Sequence, residues 1–595
     1  MIAYVQPPEN PVHLNAIQLK IARQALEDDG HLGQVYNQLG VRRDDEAFYA
    51  IAQALGMKMV DIPKCEIPEN ILDGFPVKMI HKFGVFPVGQ EGNTALIATC
   101  RPFDLHAIDA IAAALGKPAI PVVATPAELS KLIKARLGVG AETIEGLLAQ
   151  SDDGDVEMLE DVDWDQSSDA AMAQEASVVK LVNDILTEAV EVGTSDIHIE
   201  AQESGMKIRY RIDGVLQTQP MPPEINRFQS AIVSRLKIMA RLNIAEKRIP
   251  QDGRIKLRVA DRQVDLRLSI IPMLHGEGIV MRILDKDRMN FTLRGIGMDQ
   301  DIYEQFGQLI KLPHGIILVT GPTGSGKTTT LYSALNEIKD EAMKIITTED
   351  PIEYQLDGIN QIQVHTKVGL TFAASLRAIL RHDPDVVLVG EIRDFETAEN
   401  AIQASLTGHL VFSTLHTNDA AGAYTRMIDM GIEPFLVATT VEGIMAQRLV
   451  RRLCPQCRQA YVPRPEDVPP DFPLQRVLDE KIEIFRPVGC RACRMTGYSG
   501  RAALYELLIP NDEVRQKAGA KAPSNEIKKI ARAAGMQTLR DNGWKKVLSG
   551  MTSVEEVIRT AKADEPAASR GGRYALGQTT AAVRPVGTQK MKRTT

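Results

Sequence analysis

Residues 315–330, GIILVTGPTGSGKTTT, decide how the rest of the chain is read. An apolar run of strand character enters a loop that fits G-x-x-x-x-G-K-[ST] through Gly321, Gly326, Lys327 and Thr328, and a helical pattern follows Lys327. In such a loop the glycines let backbone N–H groups converge on phosphate oxygens. Lys327 sets a cation near the β and γ phosphates, and the Thr328 hydroxyl can ligate Mg²⁺. Gly321, Pro322, Thr323, Gly324, Ser325, Gly326, Lys327, Thr328 and Thr329 are therefore the expected contacts for a nucleoside triphosphate.

Downstream, KIITTED (344–350) and DVVLVGE (385–391) are short apolar runs ending in acids, as buried strands of a mainly parallel sheet would be. A ligand site then belongs at the carboxyl ends of the strands. Glu391 is the expected water-orienting carboxylate, and Glu349 could share that task beside Asp350 and Glu353. One position is irregular: Gly390 stands where an acid usually follows the four apolar residues. In GHLVFSTLHTNDA (408–420), His409 and His416 flank a further strand, and Ser413, Thr414, His416 and Thr417 fall on the same carboxyl edge as Glu391. His416 is the candidate sensor of the γ phosphate.

Upstream, ASVVKLVNDILTEAVEVG (176–193) carries one apolar stripe at helical spacing and closes on Gly193. KIRYRIDGVLQ (207–217) and RIKLRVADRQVDLRLSI (254–270) alternate apolar and charged residues about short turns, which predicts two hairpins beside helices in an α+β unit over 175–285. Residues 1–138 mix helical stretches with the strand-like GVFPV and TALIAT, a small α/β unit. Between them, no Lys or Arg occurs from Leu137 to Val179 and nine carboxylates gather in SDDGDVEMLEDVDWDQSSD, so 139–174 reads as an acidic flexible linker. The end of the chain, 565–595, reads as a disordered basic tail after a nucleotide-binding unit spanning 293–564.

At 595 residues the chain is too long for one core. With 69 Lys+Arg against 77 Asp+Glu it has a net charge of −8 and no general pull toward nucleic acid. No secretory signal pattern and no bilayer-length apolar run is present, which predicts a cytosolic location. Six cysteines do not suggest a disulfide framework. Cys65 and Cys100 read as small core residues. Cys454-Pro-Gln-Cys457 and Cys490-Arg-Ala-Cys493 each fit a knuckle, and two knuckles close a structural Cys₄ zinc site with no open position. The insert between them contains PRPEDVPPDFP and reads as a projecting loop.

GPTGSGKTTTLY, ITTEDPIEY, RHDPDVVLVGEIRD and TGHLVFSTLHTNDA, in this order, resemble the Walker A, Asp box, Walker B and His box of the secretion ATPase superfamily. Within it the match is to type IV pilus assembly and type II secretion ATPases, and it extends to SDIHIE, RIPQDGR and the cysteine segment. The Gly-Glu form of Walker B is itself usual in that family. The resemblance implies a RecA-like P-loop domain preceded by the α+β middle and α/β N-terminal units, and a homo-hexamer hydrolysing ATP with Mg²⁺. It implies middle-domain arginines that reach the phosphates, here Arg254, Arg267 and, less directly, Arg282. It further implies an inner-membrane platform protein as partner, with the ring held peripherally at the cytoplasmic side of that membrane. Cysteine elements and long N-terminal extensions go with assembly rather than retraction. His31 stands where members that bind cyclic di-GMP carry arginine in Arg-Leu-Gly, which speaks against that ligand. A nucleic-acid translocase is the alternative ring ATPase, disfavoured by the acidic charge and the lack of an aromatic-basic stripe.

Overall fold

A computed structural model describes residues 2–8, 11–28, 31–76, 79–80, 83–137, 176–259, 262–285 and 292–563. The expected acidic linker and basic tail lie outside the described residues.

The GIILVT run forms the strand Gly315–Thr320, buried along its whole length. It sits inside a seven-stranded sheet whose spatial order is 360–363, 345–349, 386–389, 410–415, 315–320, 441–453, 498–508. All neighbours are parallel except the last pair, which is antiparallel. Helices cover both faces, so these strands read as continuous apolar runs rather than alternating ones. Because the strands run the same way, the loops after Thr320, Glu349, Val389 and Leu415 all open on one edge.

The alternating segments make a single six-stranded antiparallel sheet, in place of two separate hairpins. Its order is 215–218, 205–212, 196–202, 276–285, 262–273, 251–259. SDIHIE and GEGIVMRILD supply the two strands that join the expected hairpins. Asp213 and Gly214 turn the first hairpin with φ of 49° and 83°, the left-handed pair such a two-residue turn requires. Ile208, Tyr210, Leu266, Leu268 and Met281 point into a core shared with the helices Ala176–Glu191 and Gln229–Met239. Period-two alternation then forces Arg267 and its cross-strand neighbours onto the opposite, uncovered face.

Toward the N-terminus, the strands Val85–Glu91, Thr94–Thr99 and Ala119–Val123 form a small mixed sheet with its own core. A second cluster packs Ala22, Phe48 and Ile51 of two helices beside it. Contacts around the cysteine segment join the three parts: Arg491 donates to the Cys65 carbonyl at 2.7 Å, and Glu188 pairs with Lys134 at 3.3 Å and Arg494 at 3.6 Å.

The insert between the cysteine pairs does not project. Gln459–Tyr461 and Ile484–Arg486 pair antiparallel, and Val468, Phe472, Val477 and Ile484 are buried against Trp544, Val547, Val554 and Val557. Phe472 meets Trp544 edge-on at 5.3 Å, and Asp471 accepts from Trp544 Nε1 at 3.0 Å and from Arg540. The prolines and acids that suggest a loop instead shape a cap over these helices. Phe472→Ala should lower the unfolding free energy of this region by about 3 kcal/mol, read as a fall in its thermal midpoint; an unchanged midpoint would show that the insert is not packed there.

Candidate active site

The phosphate loop leaves its strand at Gly321 and enters the helix Lys327–Ile338. Gly321, Gly324 and Gly326 have φ of 147°, 77° and 89°, a path closed to other residues without strain. Crowding from beneath adds to this. A Cβ at Gly321 would lie 2.5 Å from the Gln447 carbonyl oxygen, and one at Gly326 would lie 2.9 Å from Gln447 Nε2. Gln447 is itself buried and accepts from Thr330 Oγ1 at 2.8 Å, so it carries the floor of the loop. Lys327 Nζ donates to the carbonyls of Gly321 at 2.8 Å and Pro322 at 3.1 Å. Burial pushes its pKa down, Glu391 pulls it up, and Arg448 pushes it down again. Ser325 Oγ is buried without a partner among the described residues. The loop thus holds a desolvated cation and an unused hydroxyl, the donor set an anionic ligand completes. Thr323 is exposed at the tip, and Thr328 and Thr329 follow Lys327 in the first helical turn.

The two candidate carboxylates have different surroundings. Glu349 is 5% exposed and accepts from Thr347 Oγ1 at 2.6 Å, from Gln361 Nε2 at 3.1 Å and from the Tyr332 hydroxyl. Gln361 also donates to the Tyr354 carbonyl at 3.0 Å and accepts from Leu356 N at 2.9 Å. Both oxygens of Glu349 are therefore occupied, and through Gln361 it is tied to the segment that follows it. Glu391 has a side chain 14% exposed and pairs with Arg393 at 2.5 Å and His416 Nε2 at 3.5 Å. It faces Lys327 across the edge closely enough to raise the lysine's pKa. His409 is tied to its own turn, its Nδ1 2.9 Å from the Ala404 carbonyl and 3.0 Å from Thr407 Oγ1.

Gly390 has a physical explanation. Its N–H donates to the Thr348 carbonyl at 2.8 Å, and an added Cβ would lie 3.2 Å from that oxygen and 3.3 Å from the Phe372 ring. An acid here would require the Thr348 carbonyl or the Phe372 ring to give by a few tenths of an ångström, and the Gly390 carbonyl accepts from Thr414 Oγ1 at 2.8 Å.

The candidate arginines lie on the face of the six-stranded sheet away from its helices. Arg254 is directly paired with Arg267, Arg267 with Arg282, Arg282 with Asp196 and Asp196 with Arg211. Four guanidiniums and one carboxylate thus share one row across five strands. Arg282 Nε lies 3.1 Å from Asp196 Oδ1 and Arg211 Nε 3.6 Å from Asp196 Oδ2. Arg267 Nη2 donates to the Ile352 carbonyl at 2.8 Å, in the segment that Glu349 holds; burial pushes its pKa down and Glu353 opposes that. Arg254 makes no ion pair among the described residues. Arg254, Arg267 and Arg282 line a cleft of about 390 Å³ with Asp196 and Asp252. The structure thus brings Arg267 to the segment after strand 345–349 but shows no bond from Arg254 to the phosphate loop.

Cys454, Cys457, Cys490 and Cys493 place their sulfurs within 4.8 Å of one another. Separations of 3.9, 3.8 and 3.7 Å match the roughly 3.8 Å edge of a tetrahedral zinc–thiolate site. Burial acts to raise the Cys493 thiol, but N–H groups of Cys490 and Gly497 hold it down at about 7.

A parallel sheet with a phosphate loop, a carboxylate at the next strand end but one in space, and a histidine-bearing loop after the strand between them defines a P-loop ATPase. Comparison gives its family: the model described as "Type II/IV secretion system protein" matches residues 171–559 and the MshEN domain model matches 55–142. The chain belongs to the type II/IV secretion system protein family. It is 43% identical to type II secretion system protein E of Xanthomonas campestris pv. campestris over 91% of this chain and 95% of that one. It is 39% identical to the type IV pilus assembly ATPase PilB of Myxococcus xanthus over 92% and 96%. Among solved structures, the pilus retraction motor PilT with bound ADP is 28% identical over 64% of this chain and 96% of that one, with a TM-score of 0.44.

Gln447 was not legible as the residue under the loop, since it sits in a basic run, QRLVRRL, with no motif spacing. Gly390→Asp should lower kcat at least about tenfold, because the new side chain displaces either the Thr348 carbonyl or Phe372. Steady-state phosphate release measures this, and wild-type turnover would show the position to be free.

Proposed function

We propose that the chain is a hexameric motor that couples ATP hydrolysis to the addition of pilin or pseudopilin subunits, acting on an inner-membrane platform protein. The observation that carries this reading is the in-register arginine row, one member of which, Arg267, bonds the Ile352 carbonyl of the ATPase domain. Three like charges in register on one open face are unfavourable alone and become favourable against a polyphosphate. The names of the relatives support the cargo class, and the cysteine element agrees with assembly rather than retraction.

In this reading the loop N–H groups, Lys327 and Ser325 hold the phosphates. Thr328 would hold Mg²⁺, which supplies charge neutralisation at the β and γ oxygens when bound. Glu391, open to the edge, orients the attacking water, and His416 beside it reads the γ phosphate. Glu349 is a positioning residue for the segment that receives Arg267. Arg254 and Arg267 complete the site when the two sheets close. The four cysteines would hold one structural Zn²⁺. No helix among the described residues is long and apolar enough to cross a membrane, so attachment falls to partners, with residues 1–138 as the docking unit.

Arg254→Gln and Arg267→Gln should each reduce kcat by about 10³-fold, the scale of an arginine supplied to a phosphoryl-transfer site. ATP binding, followed with a fluorescent analogue, should weaken far less, with Glu391→Gln as the zero-turnover baseline. Unchanged turnover and unchanged filament growth in cells would overturn the reading.

A further inference from the structure

The strand Val441–Leu453 sends consecutive side chains to opposite faces at the level of the phosphate loop. Ala446 pairs with Thr320, the last residue before the loop, so Gln447 and Arg448 stand just beyond it at the nucleotide edge. Gln447 serves the face of the loop and its helix, as described. Arg448 takes the other face, and its Nη2 donates to both oxygens of Asn418, at 3.2 Å to the carbonyl and 3.0 Å to the side chain. Asn418 lies two residues past His416. One dipeptide therefore braces both the phosphate loop and the sensor loop.

The second terminal nitrogen of Arg448 is unused. Nη1 is buried and has no acceptor among the described residues. Nearby acids do not supply one. Asp419 accepts from Gly422 N at 2.9 Å and pairs with Lys528 at 3.6 Å. Glu506, 1% exposed, accepts from Ala420 N at 2.8 Å and Leu539 N at 3.1 Å and pairs with Lys528 at 3.6 Å. Burial pushes the guanidinium's pKa down, opposed by the charges of Asp419 and Glu506. Lys327 also feels Arg448 as a like charge. The loop lysine and Arg448 thus stand close enough to feel one another's charge, and Arg448 has an N–H with nothing to donate to among the described residues. A buried donor of this kind calls for an acceptor, and an anionic one satisfies its charge as well.

We infer that Arg448 is a further nucleotide-binding residue: its Nη1 takes a phosphate oxygen of bound ATP while its Nη2 keeps Asn418, joining the triphosphate to the His416 loop through one guanidinium. This rests on the ATP site above. It gives the sensor loop a direct mechanical connection to the ligand within one subunit, independent of the arginine row.

The test measures Kd for fluorescent ATP and ADP, kcat, KM and melting temperature for Arg448→Gln, Arg448→Lys and Asn418→Ala in the full chain, with Lys327→Ala as control. Arg448→Gln should weaken nucleotide binding about tenfold or more. Loss for ATP alone assigns the contact to the γ phosphate, and loss for both assigns it to an inner one. Arg448→Lys should regain part of the affinity but not kcat, since an ammonium cannot span both partners. Asn418→Ala should keep affinity and lose kcat. Wild-type affinity in Arg448→Gln, with binding lost in Lys327→Ala, would overturn this inference and leave the ATP site standing. Should Arg448→Gln not fold, Arg448→Lys decides: a lower melting temperature with unmoved affinity and kcat would make the residue a structural brace only. Binding retained in Lys327→Ala as well would overturn both.

Discussion

Arg254, Arg267 and Arg282 sit directly opposite one another on adjacent strands, roughly 5 Å apart at the backbone. The remaining features depend on how that crowding of like charge is relieved. Asp196 clasps Arg282 from one end of the row and the Ile352 carbonyl receives Arg267 from the other molecular layer. Arg254 is left without a counter-charge among the described residues. The sheet's other face is committed to an apolar core with two helices, so the row cannot turn inward. Solvent screens the exposed members of the row, and an anion would relieve the repulsion further; the parallel-sheet domain collects its phosphate loop and acids on one edge. In the proposed reading, closure of the two layers depends on what the edge holds.

The edge divides labour between two carboxylates of similar sequence context. Both end apolar strands, and chemistry alone permits either to handle water. Glu349 is surrounded by three donors and so works as an anchor, while Glu391 retains exposure and neighbours a lysine and a histidine. The anchored segment is also the one that receives Arg267, so the less reactive acid fixes the place where the second layer makes contact. Removing either carboxylate should affect turnover, but for different physical reasons.

Much of this was legible from residue spacing. The phosphate loop, the apolar strand ends and the paired cysteines each require residue types that local chemistry specifies, and the glycine dihedrals at 321, 324 and 326 show why. What was not legible depends on register and distant packing. Arg254 and Arg267 could be nominated by resemblance, but their direct opposition is set by a hairpin register. Gly390 was visible as an irregularity, while its cause lies in Thr348 and Phe372, remote in sequence. The insert's prolines and acids mimic a loop because the partner of Phe472 is Trp544, far down the chain. The strand 441–453 escaped notice because its second half is basic, although its first half is buried between two neighbours.

The account stands on nucleotide-dependent closure of the six-stranded sheet onto the ATPase edge. The most direct measurement is the distance distribution between labels introduced without cysteine chemistry at the exposed positions Lys256 and Glu337, recorded with and without a non-hydrolysable ATP analogue. A shorter and narrower distribution with the analogue, abolished when the row's arginines are neutralised, is the expected result. A distribution that does not respond to nucleotide would contradict the account.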